Sequence, residues 1–254
     1  MNLNLKDKVF LISGGAKGIG GAIVTALLEE GAIPVIIDPD EKAGAKLLEG
    51  SRGIQIPTLL SSEEDSKKAV ELAIQTFGSI AGLVNNAGVN DGVGLEKGNP
   101  KTFASSVSKN LNHYYELSHF ALPWLKKSQG SIVNISSKTA LTGQGNTSGY
   151  TAAKGAILAL TREWAVELLP YSIRVNAIIP AEVMTPMYQN WIESFEQSTQ
   201  KLAEITSKIP LGNRMTKPEE IAAMAVFLLS EKASHITGQH IHVDGGYTHL
   251  DRAL

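Results

Sequence analysis

The chain has 254 residues, a formal net charge of −2, 43% hydrophobic residues and no cysteine. That length accommodates one or two average domains, and the missing cysteines exclude a disulfide framework and a thiolate metal site. No basic stripe is present to grip a nucleic acid backbone, and no apolar run approaches the roughly 20 residues that cross a bilayer.

The opening MNLNLKDKVF runs directly into an apolar stretch and lacks the pattern of a signal peptide, so a cytoplasmic location is expected. Residues 8–12, KVFLI, read as a buried strand. SGGAKGIG (residues 13–20) follows, and the apolar periodicity from Ile23 to Leu28 predicts a helix ending at Gly31. Strand, glycine turn and helix is the context that a phosphate-binding loop requires. Gly14 permits the tight turn, Gly18 lets the backbone approach a pyrophosphate, and Gly20 allows close helix packing, with Lys17 and Ile19 between them. The free N–H groups of the helix N-terminus then face the phosphates. The spacing is G-x-x-x-G-x-G rather than G-x-G-x-x-G, so this reading rests on the flanking strand and helix.

The second strand, residues 33–37, ends in Asp38, eighteen residues beyond Gly20. A carboxylate there accepts hydrogen bonds from the adenosine ribose hydroxyls and repels a 2′-phosphate, which favours NAD. Lys17 pulls the other way, because a basic side chain in the loop reaches toward a 2′-phosphate. The carboxylate carries more weight, so NAD is expected, with NADP as the alternative.

Further strand-like runs fall at residues 53–58, 80–85, 130–135, 173–179 and 239–243, separated by helical stretches. Seven strands with helical crossovers predict a single α/β domain over residues 1–254. Its expected architecture is a Rossmann-type doubly wound sheet of seven parallel strands with helices on both faces. No Pro/Gly/Ser-rich linker or internal repeat divides the chain.

Tyr150 and Lys154 are four residues apart and share one face of a predicted helix, with Ser137 thirteen residues before Tyr150. A phenol with its ordinary pKa of about 10 is a poor base at neutral pH, and a neighbouring ammonium lowers it toward the working range. A serine hydroxyl delivered from the end of a nearby strand suits hydrogen bonding to a reacting oxygen. His240 and His242 share a strand face, but no third ligand is evident nearby, so no metal is expected. The His113-Tyr114-Tyr115 stretch reads as helix packing or as an interface.

Taken in order, these residues resemble the short-chain dehydrogenase/reductase family across essentially the whole chain. SGGAKGIG is similar to the family's TGxxxGIG, with Ser13 in place of threonine, and NNAG (residues 85–88) matches the turn after the fourth strand. The resemblance implies that Asn86, Ala87 and Gly88 lie beside the adenine ribose. It also implies that Asn110, Ser137, Tyr150 and Lys154 form a catalytic set, with Tyr150 and Lys154 also touching the cofactor. Asn110 would hold a water linking the lysine to solvent. In RVNAIIPAEVMTP (residues 174–186), a backbone group near Val183 and the hydroxyl of Thr185 would hold the nicotinamide carboxamide. VDGGY (residues 243–247) matches the last strand and its turn. The family's pairing helices correspond to residues 101–126 and 149–169, and a homotetramer is implied. Two departures stand out. Leucine occupies the place of the third-strand aspartate, within residues 57–62, which leaves the adenine contact to the backbone. Ala181 replaces the usual glycine and is followed by Glu182.

Residues 85–95, 138–150, 179–192 and 243–254 are also similar to bacterial short-chain sugar dehydrogenases acting on L-fucose. That resemblance implies oxidation of the anomeric carbon to a lactone. Asn90, Ser137, Lys138, Gln144, Tyr150, Glu182 and Trp191 are the expected sugar contacts, Glu182 foremost because a carboxylate can accept two hydroxyls. The alternatives are an NAD(P)H-dependent ketone or 3-oxoacyl reductase and, more distantly, a non-catalytic NAD-binding scaffold. The C-terminal HLDRAL is a candidate for reaching a neighbouring subunit's site.

Overall fold

The computed structural model describes residues 2–250. Seven strands form one parallel sheet: β1 (Val9–Ser13), β2 (Ile33–Ile37), β3 (Ile54–Ile56), β4 (Gly82–Asn85), β5 (Ser131–Ile135), β6 (Arg174–Pro180) and β7 (His240–Val243). Their spatial order is β3-β2-β1-β4-β5-β6-β7, and every neighbouring pair is parallel. The order reverses between β1 and β4. The chain leaves these two strands toward opposite edges and opens a crevice at their C-terminal ends.

The central strands are buried at every position because helices cover both faces. Alternate residues serve opposite layers. Phe10, Ile12, Ile36, Val84 and Val133 pack against α1 (Gly18–Glu29), while Val9, Leu11, Val35, Leu83 and Ile132 face the other layer. The remaining helices are α2 (Glu41–Leu47), α3 (Glu63–Phe77), α4 (Pro100–Ser128), α5 (Thr139–Thr142), α6 (Ser148–Glu167), α7 (Pro186–Glu193), α8 (Ser198–Thr206) and α9 (Pro218–Leu229). α9 packs on α1 on the first face; α3, α4 and α6 cover the second.

Most expected element boundaries hold within two residues. β3 is trimmed at both ends: the run expected over residues 53–58 yields three strand residues. Pro57 lacks the N–H that would continue the ladder. The first helix ends at Glu29, and Gly31 follows in the left-handed conformation at φ 71°. Among the described residues no helix is long and apolar enough to cross a membrane. Of the tail expected to reach a neighbour, residues 251–254 lie outside the described residues.

Candidate active site

The turn after β1 and the turn after β4 are pinned together at the crevice. The buried Ser13 hydroxyl accepts the N–H groups of Asn86 at 3.0 Å and Ala87 at 3.1 Å. The Asn86 amide donates to the carbonyls of Ser13 and Gly14, both at 3.0 Å. A Cβ on Gly20 would lie 2.1 Å from the Gly14 carbonyl oxygen, and Gly18 sits at φ 56° beside Thr185. Gly20 therefore excludes a side chain, and Gly18 disfavours one. No side chain caps the N-terminus of α1, and its first turn contains no acid, so its leading N–H groups are left for an anion.

Asp38 closes the far side of this loop. One carboxylate oxygen accepts from Ala16 N–H at 3.1 Å and the other from Asp40 N–H at 2.8 Å. Lys17 is ion-paired with Asp40, which raises the lysine pKa and lowers that of the aspartate. A cavity of about 730 Å³ extends from Gly14 past Pro39 and Leu60 to Ala87, Val89 and Lys109. The loop, the uncapped helix end and this cavity fit a dinucleotide. Leu59 is exposed on the cavity wall, and the nearby Asp65 is occupied by the hydroxyls of Ser61 and Ser62.

α6 carries Tyr150 and Lys154 against the end of β5. Lys154 is almost wholly buried; its ammonium donates to the Ile135 carbonyl at 2.8 Å and to the Tyr114 hydroxyl at 3.0 Å. It lies 5.6 Å from the Tyr150 ring centre. Burial brings the Lys154 pKa down to about 7. Burial also raises the Tyr150 pKa, which a hydrogen bond with Ser137 partly offsets. The expected lowering of the phenol by Lys154 is therefore not the dominant influence here, because desolvation outweighs a charge directed at other acceptors.

Asn110 is fully buried, and both of its amide hydrogens are used, on the carbonyls of Val89 at 3.0 Å and Ser106 at 2.9 Å. Its oxygen accepts Val89 N–H at 2.7 Å. The Asn110 side chain thus ties α4 to the segment after β4. Ser137 accepts from the Thr139 backbone and hydroxyl, whereas the neighbouring Ser136 bonds the Lys154 carbonyl.

Beyond Ser137 stands a second polar group. Lys138 is ion-paired with Glu182, the Tyr188 hydroxyl donates to the other Glu182 oxygen at 2.6 Å, and the Lys138 ammonium lies 4.0 Å from the Tyr247 ring centre. Trp191 extends the cluster, edge-on to Tyr188 at 5.2 Å.

A family model described as enoyl-(acyl carrier protein) reductase matches residues 14–248. The chain belongs to the short-chain dehydrogenase/reductase family. L-fucose dehydrogenase of Bos taurus is 38% identical over 248 residues, covering 97% of this chain and 91% of that protein. The 3-oxoacyl-(acyl-carrier-protein) reductase FabG of Thermotoga maritima is 34% identical over 250 residues, covering 96% and 99%. Among solved structures, Cj0485 dehydrogenase is 46% identical with a TM-score of 0.96 and covers 100% of this chain and 99% of that one. The aldohexose dehydrogenase of Thermoplasma acidophilum is 31% identical with a TM-score of 0.91, covering 100% and 99%. A 3-ketoacyl-(acyl-carrier-protein) reductase of Brucella melitensis, solved with NADH, is 31% identical with a TM-score of 0.85, covering 96% and 100%. The protein is a short-chain oxidoreductase of an NAD(P)-binding family.

Within this short-chain dehydrogenase framework, Asn110 and Lys154 lie beside Gly88. A Cβ on Gly88 would lie 3.0 Å from the Asn110 side-chain oxygen and 3.5 Å from the Lys154 ammonium. Val183 bridges to Thr216, and the Thr185 hydroxyl caps α7 by accepting Tyr188 N–H at 3.2 Å. Asn90 and Gln144 lie on exposed loops with no side-chain bond into the cluster. His240 bonds Arg162 and the Leu158 carbonyl, and His242 meets His249. No group of three or more metal-ligating side chains occurs among the described residues.

Three participants were not assigned from the sequence. Asp40 pairs with Lys17, Tyr247 lies under Lys138, and Tyr114 touches Lys154. Only Tyr114 left a usable signal, its spacing of four residues from Asn110 along one helix face.

Proposed function

We propose that the chain is an NAD-dependent aldose dehydrogenase of sugar breakdown. It oxidises the anomeric carbon of L-fucose, or of a relative such as L-galactose or D-arabinose, to the lactone. The observation that carries this reading is the buried pairing of Lys138 with Glu182 and Tyr188, one residue beyond Ser137. Such a group offers charged donors and acceptors to several hydroxyls at once. The bovine L-fucose dehydrogenase and the aldohexose dehydrogenase relatives support the same substrate class.

In this reading Gly14, Lys17, Gly18, Ile19, Gly20, Asp38, Asn86, Ala87, Gly88, Val183 and Thr185 hold the dinucleotide. When bound, NAD⁺ supplies the hydride acceptor and a positive ring. Tyr150 takes the proton of the anomeric hydroxyl, and Ser137 donates to the same oxygen as the C–H bond of the anomeric carbon breaks. Lys154 keeps positive charge beside Tyr150, and Asn110 fixes the backbone over the lysine. Glu182 and Lys138 hold the ring hydroxyls, with Trp191 against the sugar face and Asn90 and Gln144 at the rim. The enzyme works as a cytoplasmic homotetramer, pairing through faces that expose Tyr115, Val166 and Leu169.

A ketone or 3-oxoacyl reductase is the second reading, supported by the Thermotoga relative. A buried ion pair beside the reacting serine disfavours it, because an acyl chain would desolvate that pair further without offering it hydrogen bonds. The deciding test is the initial rate of NAD(P)H formation with L-fucose, D-fucose, L-galactose, D-arabinose and D-glucose, each with NAD⁺ and NADP⁺. Rapid turnover of L-fucose and its configurational relatives with NAD⁺ is expected. No turnover across the panel, with reduction of an acyl thioester instead, would replace this reading by the second.

A further inference from the structure

We propose that Tyr114 is a positioning residue for Lys154. Its hydroxyl fixes the direction of the ammonium and favours the charged form beside Tyr150. This rests on the reading of Tyr150 as the proton acceptor.

The argument begins on α4, where Asn110 and Tyr114 are one turn apart. Asn110 spends both amide hydrogens on backbone carbonyls. One turn on, the fully buried Tyr114 hydroxyl stands against the lysine itself. That hydroxyl donates its only hydrogen to the Ile135 carbonyl at 2.9 Å. Toward Lys154 it therefore acts as an acceptor. An ammonium offers three hydrogens, whereas a neutral amine offers two and a lone pair that Tyr114 has no hydrogen left to meet. Lys154, Tyr114 and the Ile135 carbonyl thus close a three-membered hydrogen-bonded ring that suits the cation. One N–H of Lys154 remains for a ligand hydroxyl. Unlike a bridging water, the phenol is held by its own helix and does not exchange.

The groups facing Lys154 are few. α6 contributes Tyr150. α4 contributes Tyr114, which burial keeps protonated, and His113, which is hydrogen-bonded to the Ala87 carbonyl at 3.1 Å and is held down to about 4 by burial. β5 presents only the Ile135 carbonyl, and the turn after β4 presents Gly88. His113 stays neutral across the working range, so a shift there would come from Tyr150 and Lys154 titrating as a pair.

The test is the pH dependence of sugar oxidation in Tyr114→Phe. Losing one acceptor from a buried ammonium disfavours the charged lysine, so the acid limb of kcat/KM should move downward by about one pH unit and the high-pH plateau should fall by roughly tenfold, with the rate below the limb unchanged. A limb unmoved, or a uniform loss at every pH, would overturn the proposal. A second readout needs no sugar. The ultraviolet tyrosinate titration of wild type minus Tyr150→Phe isolates the Tyr150 phenol, and its midpoint should rise in the Tyr114→Phe background. If Tyr114→Phe does not fold, 3-fluorotyrosine at position 114 keeps the shape with a weaker acceptor. It should give a smaller downward shift, and no shift would refute the idea. The Tyr150→Phe enzyme separates the two readings: full activity there removes Tyr150 as the base, while an inactive Tyr150→Phe with an unmoved Tyr114→Phe limb removes only Tyr114.

Discussion

Lys138 and Glu182 reach across from the loops after β5 and β6 to form an ion pair with only 9% and 13% of their side chains exposed. The second Glu182 oxygen receives the Tyr188 hydroxyl, so the carboxylate links the loop bearing Ser137 to α7. Burying this pair costs desolvation that packing does not require, since apolar residues of similar size would serve as well. A polar ligand with several hydroxyls gives that cost a function.

Glu182→Gln keeps the shape and the Tyr188 bond but removes the charge opposite Lys138. The KM for L-fucose should rise by roughly tenfold to a hundredfold, consistent with about 1.5–3 kcal/mol for hydrogen bonds to a charged group. The dissociation constant of NAD⁺, measured by calorimetry, should stay within about threefold. An unchanged sugar KM would remove Glu182 from the substrate site.

Tyr150→Phe should lower kcat by about a thousandfold, within the span usual for general acid/base groups. The ring remains packed, so circular dichroism and NAD⁺ affinity should match wild type. Retention of normal turnover would mean that another group takes the proton.

Much of this arrangement is legible in the sequence. Strands buried on both faces read as continuous apolar runs, and the residues of β1, β2 and β5 could hardly be placed elsewhere. The glycine loop and the Tyr150/Lys154 spacing are local patterns, so they too survive in one dimension. What escaped depends on distant pairings. Tyr114 meets Lys154 from forty residues away, and on an apolar helix face beside His113 and Tyr115 it looks like core. Lys17 in isolation argued for a 2′-phosphate. Its partner Asp40 lies past the end of β2, where a charge ordinarily reads as solvated. The contraction of β3 was visible in Pro57, which the apolar pattern around it obscured.

The proposed preference for NAD rests on Asp38, and the Lys17–Asp40 pair bears on it. Asp40 also caps α2 by accepting Ala43 N–H at 3.0 Å, a role that asparagine can fill. Asp40→Asn should therefore free Lys17 without unfolding α2, raising NADP⁺ affinity by about threefold, an effect that fades with added salt. Asp38→Ser removes the carboxylate proposed to face the 2′ position and should raise NADP⁺ affinity by roughly tenfold or more. Equilibrium titration with both dinucleotides at two ionic strengths checks the order. A larger effect from Asp40 than from Asp38 would reverse the assignment.

The buried Lys154 should also leave a signature in folding stability. Its pKa is about 7 in the native chain and near the ordinary 10.5 when unfolded. Between those values the unfolded state binds more protons, so this group's contribution makes stability rise as pH climbs from about 7 toward 10.5. Below pH 7 the full cost of a buried ammonium is present, offset in part by its bonds to Tyr114 and Ile135. Lys154→Met should therefore be inactive yet more stable than wild type by about 2 kcal/mol at pH 6.5, and the gain should vanish by about pH 10. The raised Tyr150 pKa acts in the opposite direction, but only above the ordinary tyrosine value of 10.0. Urea unfolding of both cofactor-stripped proteins at pH 6.5, 8 and 9.5 reads the difference directly. A gain independent of pH, or a loss at pH 6.5, would show that the hydrogen bonds of Lys154 outweigh its desolvation.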